Sequence, residues 1–176
     1  MRAVLGMFDR FWLLACVLAA GCVPGFVLQY RQRMLGRLDQ VVADLAPWRM
    51  IADRLHGGSM ESLIAHHRAS ADPTFTAEAD AIDAMVQAEG QLRATIEALQ
   101  GNLFEQFYGL ILHLDAADAE AVLSLYQPTF ALDPEGLGFA LLLGAVLWVL
   151  PVGMLGAARR LMVRRHARNT QLERGA

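Results

Sequence analysis

The sequence predicts an all-α membrane protein in which two transmembrane helices flank an antiparallel, coiled-coil-like helical hairpin outside the bilayer. Three observations predict it. Leu137 to Leu155 is nineteen residues without a charge, followed by Arg159, Arg160, Arg164, Arg165 and Arg168, and about twenty apolar residues are what a helix needs to cross roughly 30 Å of hydrocarbon. Phe11 to Leu28 is a second uncharged run, eighteen residues long. Between the two runs lie stretches whose apolar residues recur at alternating steps of four and three, the seam of helices packed side by side.

Composition agrees with that architecture. Of 176 residues, 55% are hydrophobic, and the mean hydropathy of +0.33 is lifted by the two runs, so the extramembrane part is small and simple. The net charge of −3 hides a segregation: residues 31–136 carry sixteen carboxylates against seven arginines, while six arginines and one glutamate follow Leu155. Arginines abutting a span anchor it against anionic lipid. The expected partner is therefore the lipid bilayer, and nucleic acid is not expected.

The elements follow in order. Residues 1–10 form a short cytoplasmic head, with Arg2, Arg10 and the terminal amine against Asp9. Ala19-Ala20-Gly21-Cys22 resembles a lipoprotein cleavage site, but Ala19 stands where such a site has leucine and the apolar run continues to Leu28. An uncleaved first span over 11–29 is expected. Trp12 and Tyr30 at its two ends suit the membrane interfaces, and Pro24 is expected to kink it. Gly21 with Gly25, and Gly153 with Ala157, are small-residue pairs that permit close helix packing. Cys16 and Cys22 stand about 9 Å apart by helical rise, too far for a disulfide.

Orientation follows from the second span, over 137–157. The twenty residues before Leu137 hold no arginine and the twenty-one after Leu155 hold six, with Arg159, Arg160, Arg164 and Arg165 as the membrane anchor. Positive flanks stay in the cytoplasm. The expected placement is a bacterial inner membrane, with both termini and the basic tail 158–176 cytoplasmic and 30–136 periplasmic. Arg31, Arg33 and Arg37 oppose this, and the charges of the head roughly balance them.

Within 30–136, Met34, Leu38, Val41, Leu45, Trp48, Ala52 and Leu55 mark a first amphipathic helix, with a bend expected at Pro47 and a stop at His56-Gly57-Gly58. Ser59 caps a short helix over Met60 to Ala69, ended by Asp72-Pro73. Thr74 or Thr76 is the expected cap of a long helix whose stripe runs Ile82, Met85, Glu89, Leu92, Ile96, Leu99, Leu103 and Leu110, loosened at Gly101-Asn102. A further helix is expected over Ala116 to Leu125, then an extended segment, then a helix started by Asp133-Pro134. Two such stripes bury each other best as an antiparallel hairpin.

These residues resemble a bacterial inner-membrane family known as domain of unknown function 2937. The resemblance rests on Pro24-Gly25-Phe26-Val27 running into Gln29-Tyr30-Arg31-Gln32-Arg33, on Ala52-Asp53-Arg54 with Gly57-Gly58, and on Leu63-Ile64-Ala65-His66-His67-Arg68-Ala69-Ser70 with Asp72-Pro73 and Phe75. It spans most of residues 20–136. It implies that Pro24 to Arg33 belong to the domain, and it supplies no activity, cofactor or catalytic residue.

Few residues suggest chemistry. His56, His66, His67 and Asp72 are candidate metal ligands, although adjacent helical histidines diverge by about 100° and would need a partner from elsewhere. His113 and Asp115 could orient each other. Glu78, Asp80, Asp83, Glu89 and Glu97 do not converge on one face and are expected at a solvated surface. The sequence has no HExxH, no GxSxG and no phosphate-cradling glycine loop, and neither apolar run holds an ionisable residue of a transport path. The expected function is an interaction or scaffolding module that self-associates as a homo-oligomer or contacts another membrane protein. No enzyme activity, cofactor or small-molecule substrate is expected. The alternative is a periplasmic metal or pH sensor using His56 to Asp72; lipid handling would need an open apolar groove.

Overall fold

A computed structural model describes residues 2–151. The expected tail, including Arg159, Arg160, Arg164 and Arg165, and the Gly153/Ala157 pair lie outside the described residues. Five helices follow one another, α1 (Arg2–Leu55), α2 (Met60–Arg68), α3 (Pro73–Ala98), α4 (Leu103–His113) and α5 (Ala116–Leu125), and a sixth, α6 (Pro134–Pro151), closes the described chain. There is no strand among the described residues. The chain divides into two units, one built from the segment up to Gly25 with that from Pro128, the other from Phe26–Gln127.

The first unit contains apolar helix with little protein around it. Two helices are long and apolar enough to cross a membrane, and only 22% of each apolar window is buried. Phe11, Leu14, Leu18, Leu141, Leu142, Val146, Val149 and Leu150 all face outward. Left in water, each would forgo about 2 kcal/mol of burial, and together these eight would forgo about as much as the whole stability of an ordinary domain, ~5–15 kcal/mol. Hydrocarbon removes that loss. Where the helices meet, the contact is backbone-close: a Cβ on Gly144 would stand 2.8 Å from the Val17 Cα. At Gly21 the missing side chain is replaced by the Phe130 ring, into which a Cβ would run. Trp148 Nε1 donates to Asp9 Oδ1 at 2.9 Å.

The second unit packs on the stripe expected for α1. Met34, Leu45 and Ala52 are buried, and Leu55, at the helix end, is 75% exposed. Leu45 joins Ile64 of α2 and Ala79 and Ile82 of α3 in one core, with Val41, Trp48, Met60, Met85 and Val86 around it. Farther back along α1, Tyr30 and Met34 share a cavity with Leu92 and Thr95 of α3.

Local chemistry explains the helix ends. Gly57 and Gly58 stop α1 with φ of +60° and +85°, a region that glycine enters without steric cost. Ser59 Oγ then accepts from the Ser62 N–H at 3.1 Å, starting α2 as its sequence predicts. Asp133 likewise starts α6, accepting from the Gly136 N–H at 3.3 Å.

Three expectations are corrected. α1 is helical through both Pro24 and Pro47, so Pro47 does not interrupt it: the proline denies the Ala43 carbonyl a donor, a defect costing about 3 kcal/mol, but Leu45 and Trp48 on either side are fixed in the core. The cap of α3 is Asp72, which accepts from the Thr74 N–H at 2.8 Å, with Pro73 in the first turn; neither Thr74 nor Thr76 has that role. The long second helix is two helices, because Gly101 has φ +92° and Asn102 begins α4 with a capping box, its side chain accepting from Phe104 and Glu105 N–H while Glu105 accepts from the Asn102 N–H.

The glycine contacts predict opposite signs. Gly144→Ala forces the Val17 backbone away and lowers the melting temperature of the detergent-purified protein. Gly90→Ala, where a Cβ meets nothing within 4 Å, stabilises α3 by about 0.5–1 kcal/mol. Thermal unfolding followed by circular dichroism checks both.

Candidate functional site

Polar side chains of the second unit gather at the turn between α1 and α2, beside Tyr30, and around Glu89. The first contains the histidines expected as ligands. His56, just past α1, folds back so that its ring lies 5.3 Å from that of His66, and its Nδ1 stands 3.4 Å from Ser62 Oγ. His66 and His67 diverge, with ring centroids 6.3 Å apart.

His67 is buried and engaged on every side. Its Nδ1 lies 3.2 Å from the Leu63 carbonyl, which assigns the proton to Nδ1, and its Nε2 is 3.8 Å from Glu78. The ring stacks on Phe75 and meets the edge of Trp48. Asp72 caps α3, and the N–H and hydroxyl of Thr74 hold its carboxyl below the usual range. Arg68 turns to Asp80 and Asp83 at 3.0 and 3.2 Å. Among the described residues no three His, Cys, Asp or Glu side chains are grouped to hold a metal ion; Cys16 and Cys22 are not joined in a disulfide.

The second place escapes sequence reasoning. Asp118, in the first turn of α5, is 4% exposed and receives two guanidinium groups from α1: Arg33 Nε at 2.9 Å on Oδ1 and Arg37 Nη1 on Oδ2. Arg33 and Arg37 are four residues apart and so share one helix face, the signal that could have found the pair. Beside them Tyr30 Oη donates to the His113 carbonyl at 3.4 Å and accepts from the Asp115 N–H at 3.0 Å. His113 and Asp115 thus use their backbones on Tyr30, and the Asp115 side chain caps α5 by accepting from the Asp118 N–H. A cavity of about 140 Å³ remains between Tyr30, Arg37, Gln91, Thr95 and His113. Burial pushes the Tyr30 phenol up, with the Asp115 hydrogen bond opposing.

Glu89 is a correction to the solvated acidic surface. It is 8% exposed and binds Arg49 across from α1 and Arg93 one turn on, the latter at 2.8 Å. Burial alone would raise its pKa, but the Arg93 hydrogen bonds and the nearby Arg49 charge outweigh it and hold the carboxyl below the usual glutamate range. Its position in an otherwise apolar stripe was the readable sign that it turns inward. Asp118 has both oxygens engaged by arginine, as does Glu89. Carboxylates held in this way clamp helices together; they are poorly placed to serve a substrate as acid or base.

A family profile described as Protein of unknown function (DUF2937) matches residues 4–165. The chain belongs to that family. The match covers the six helices among the described residues of this DUF2937 protein apart from the first two residues of α1, beyond the residues 20–136 that carry the resemblance in sequence. Comparison with curated proteins and with solved structures finds no match.

Since the native Glu89 pKa is depressed, its contribution to stability is complete above the usual glutamate range and is lost as pH falls from there through the native value. Glu89→Gln is expected to cost about 1–3 kcal/mol at neutral pH. Unfolding measured from pH 7 down to pH 3 checks the sign: the gap between wild type and variant should close on acidification.

Proposed function

We infer that this DUF2937 protein is a two-span protein of a bacterial inner membrane, with both termini cytoplasmic and residues 30–136 periplasmic. In this reading α1 and α3 form an antiparallel, coiled-coil-like hairpin that serves as an interaction or scaffolding module without chemistry of its own. The observation that carries it is the contrast at the surface of the second unit. Its buried carboxylates are tied up in holding helices together, while Met50, Ile51, Leu55 and Phe75 stand 54%, 36%, 75% and 45% exposed around the far end of α1. Large apolar side chains grouped on a surface suit a protein partner. The opposed sequence sense of the α1 and α3 contacts supports the hairpin, and the arginine-rich segment after Leu155 supports the orientation.

A second reading has one observation in its favour, the approach of His56 to His66 at 5.3 Å between rings. It makes the same region a metal or pH sensor, with His56 half-buried, His66 exposed and a third ligand still to be supplied. Titration of the full chain in detergent with zinc separates the readings. Heat that disappears in a His56→Ala/His66→Ala variant favours the sensor, and no heat favours the module.

The sequence has no lysine, so amine-reactive crosslinkers are unsuited to the partner search. A photoreactive phenylalanine analogue at Ile51 or Leu55, irradiated in native membranes, should give adducts larger than the monomer; monomer alone overturns the module. A phosphatase fused after residue 100 should be active and a fluorescent protein at the same point dark, and the reverse pattern overturns the orientation.

A further inference from the structure

We propose that α4 is an interfacial helix, seated on phospholipid at the level where the first apolar run ends, with Tyr108, Ile111 and Leu112 in contact with headgroups and upper acyl chains. At about 100° per residue, Phe104, Tyr108, Ile111 and Leu112 fall within one sector roughly 100° wide. They are 48%, 64%, 61% and 59% exposed, and Leu114 just past the helix is 47% exposed. The other side of α4 is already committed: Gly109 and Leu110 are buried, and a Cβ on Gly109 would strike the Ala98 carbonyl of α3. A helix apolar on both sides is a poor fit to a purely aqueous boundary.

The bilayer is the nearest apolar phase. Tyr30 stands two residues past Leu28, where the first apolar run ends, and its hydroxyl binds the backbone at His113 and Asp115. The last turn of α4 is therefore held at the height where α1 leaves hydrocarbon. The chain returns to that height after α5, since Tyr126 meets Phe26 of the same run at 5.9 Å between ring centroids and Gln29 Nε2 reaches the Gln127 carbonyl at 3.5 Å. Leu125, one residue earlier, is 83% exposed. Tyrosine flanked by leucine and isoleucine on the outward face suits the boundary between headgroups and acyl chains. A second copy of the chain fits less well, because four side chains of an eleven-residue helix offer far less than the roughly 800 Å² per partner of a stable interface.

This goes beyond the interaction-module reading and rests only on the Phe11–Leu28 run lying in lipid, so either can fail without the other. The test uses the full chain in phosphatidylcholine/phosphatidylglycerol nanodiscs, with Cys16 and Cys22 replaced by alanine and one nitroxide attached at Tyr108→Cys, Ile111→Cys, Asp39→Cys or Leu142→Cys. The ratio of collisions with oxygen to collisions with a water-soluble nickel chelate is read for each. Tyr108 and Ile111 are expected to resemble Leu142 and to exceed Asp39 severalfold. A ratio like that of Asp39 means water covers the face, and protection from both reagents means protein covers it; either result overturns the proposal. Photolabelling of the unsubstituted chain with a diazirine phospholipid gives the same answer without substitutions: adducts on residues 104–114 are expected, and adducts confined to the spans overturn it.

Discussion

Asp118 cannot be buried alone. A carboxylate taken out of water without a partner loses several kcal/mol of hydration, so α5 can occupy its place only with Arg33 and Arg37 already on the adjoining face of α1. The same requirement operates between α1 and α3, where Glu89 is buried only because Arg49 and Arg93 reach it. Each guanidinium keeps two-fifths or more of its side chain in solvent while each carboxylate is nearly covered, an arrangement that hydrates the cation and leaves most of the desolvation to the anion. The pairs therefore add more to register than to net stability. If α3 moved one turn along α1, Glu89 would be left buried without its arginines, a state costing several kcal/mol, whereas the apolar stripe alone would tolerate the shift far better.

Breaks between helices matter as much as the contacts along them. Chain reversal between α3 and α4 needs Gly101 at positive φ and Asn102 with Glu105 to satisfy the first N–H groups of α4. Close return of α4 onto α3 needs Gly109, since a Cβ there would meet the Ala98 carbonyl. The turn thus brings His113 and Asp115 to Tyr30 by local backbone chemistry.

Much of this was legible in the residues. The α1 stripe, the Gly57-Gly58 stop, the Ser59 cap, the α5 range and the Asp133-Pro134 start follow from propensity and capping rules that act within a few positions. Pro47 does not end α1, because the cost of a lost hydrogen bond is offset by packing of Leu45 and Trp48 that no local rule contains. Gly101-Asn102 was underweighted for a related reason: the heptad stripe continues through Leu103 and Leu110, so periodicity is kept although the helix is not. The Asp118 site was hidden more deeply. Its parts lie more than eighty residues apart, and an arginine beside a membrane run reads first as a topology signal. Only the four-residue spacing of Arg33 and Arg37 pointed to a shared acceptor.

The exposed apolar residues raise one physical question in two settings. On the helices apolar enough to cross a membrane, leucine and valine side chains stand outward along both apolar windows, as suits a hydrocarbon solvent. Within Phe26–Gln127 the far end of α1 and one side of α4 each expose several large apolar side chains, while fourteen of the sixteen carboxylates of residues 31–136 are not buried, Glu89 and Asp118 being the two that are. The tie from Tyr30 to His113 and Asp115 distinguishes the two patches, because it holds one of them within a helical turn or two of the apolar run and leaves the other at the opposite end of a packed α1 segment more than twenty residues long.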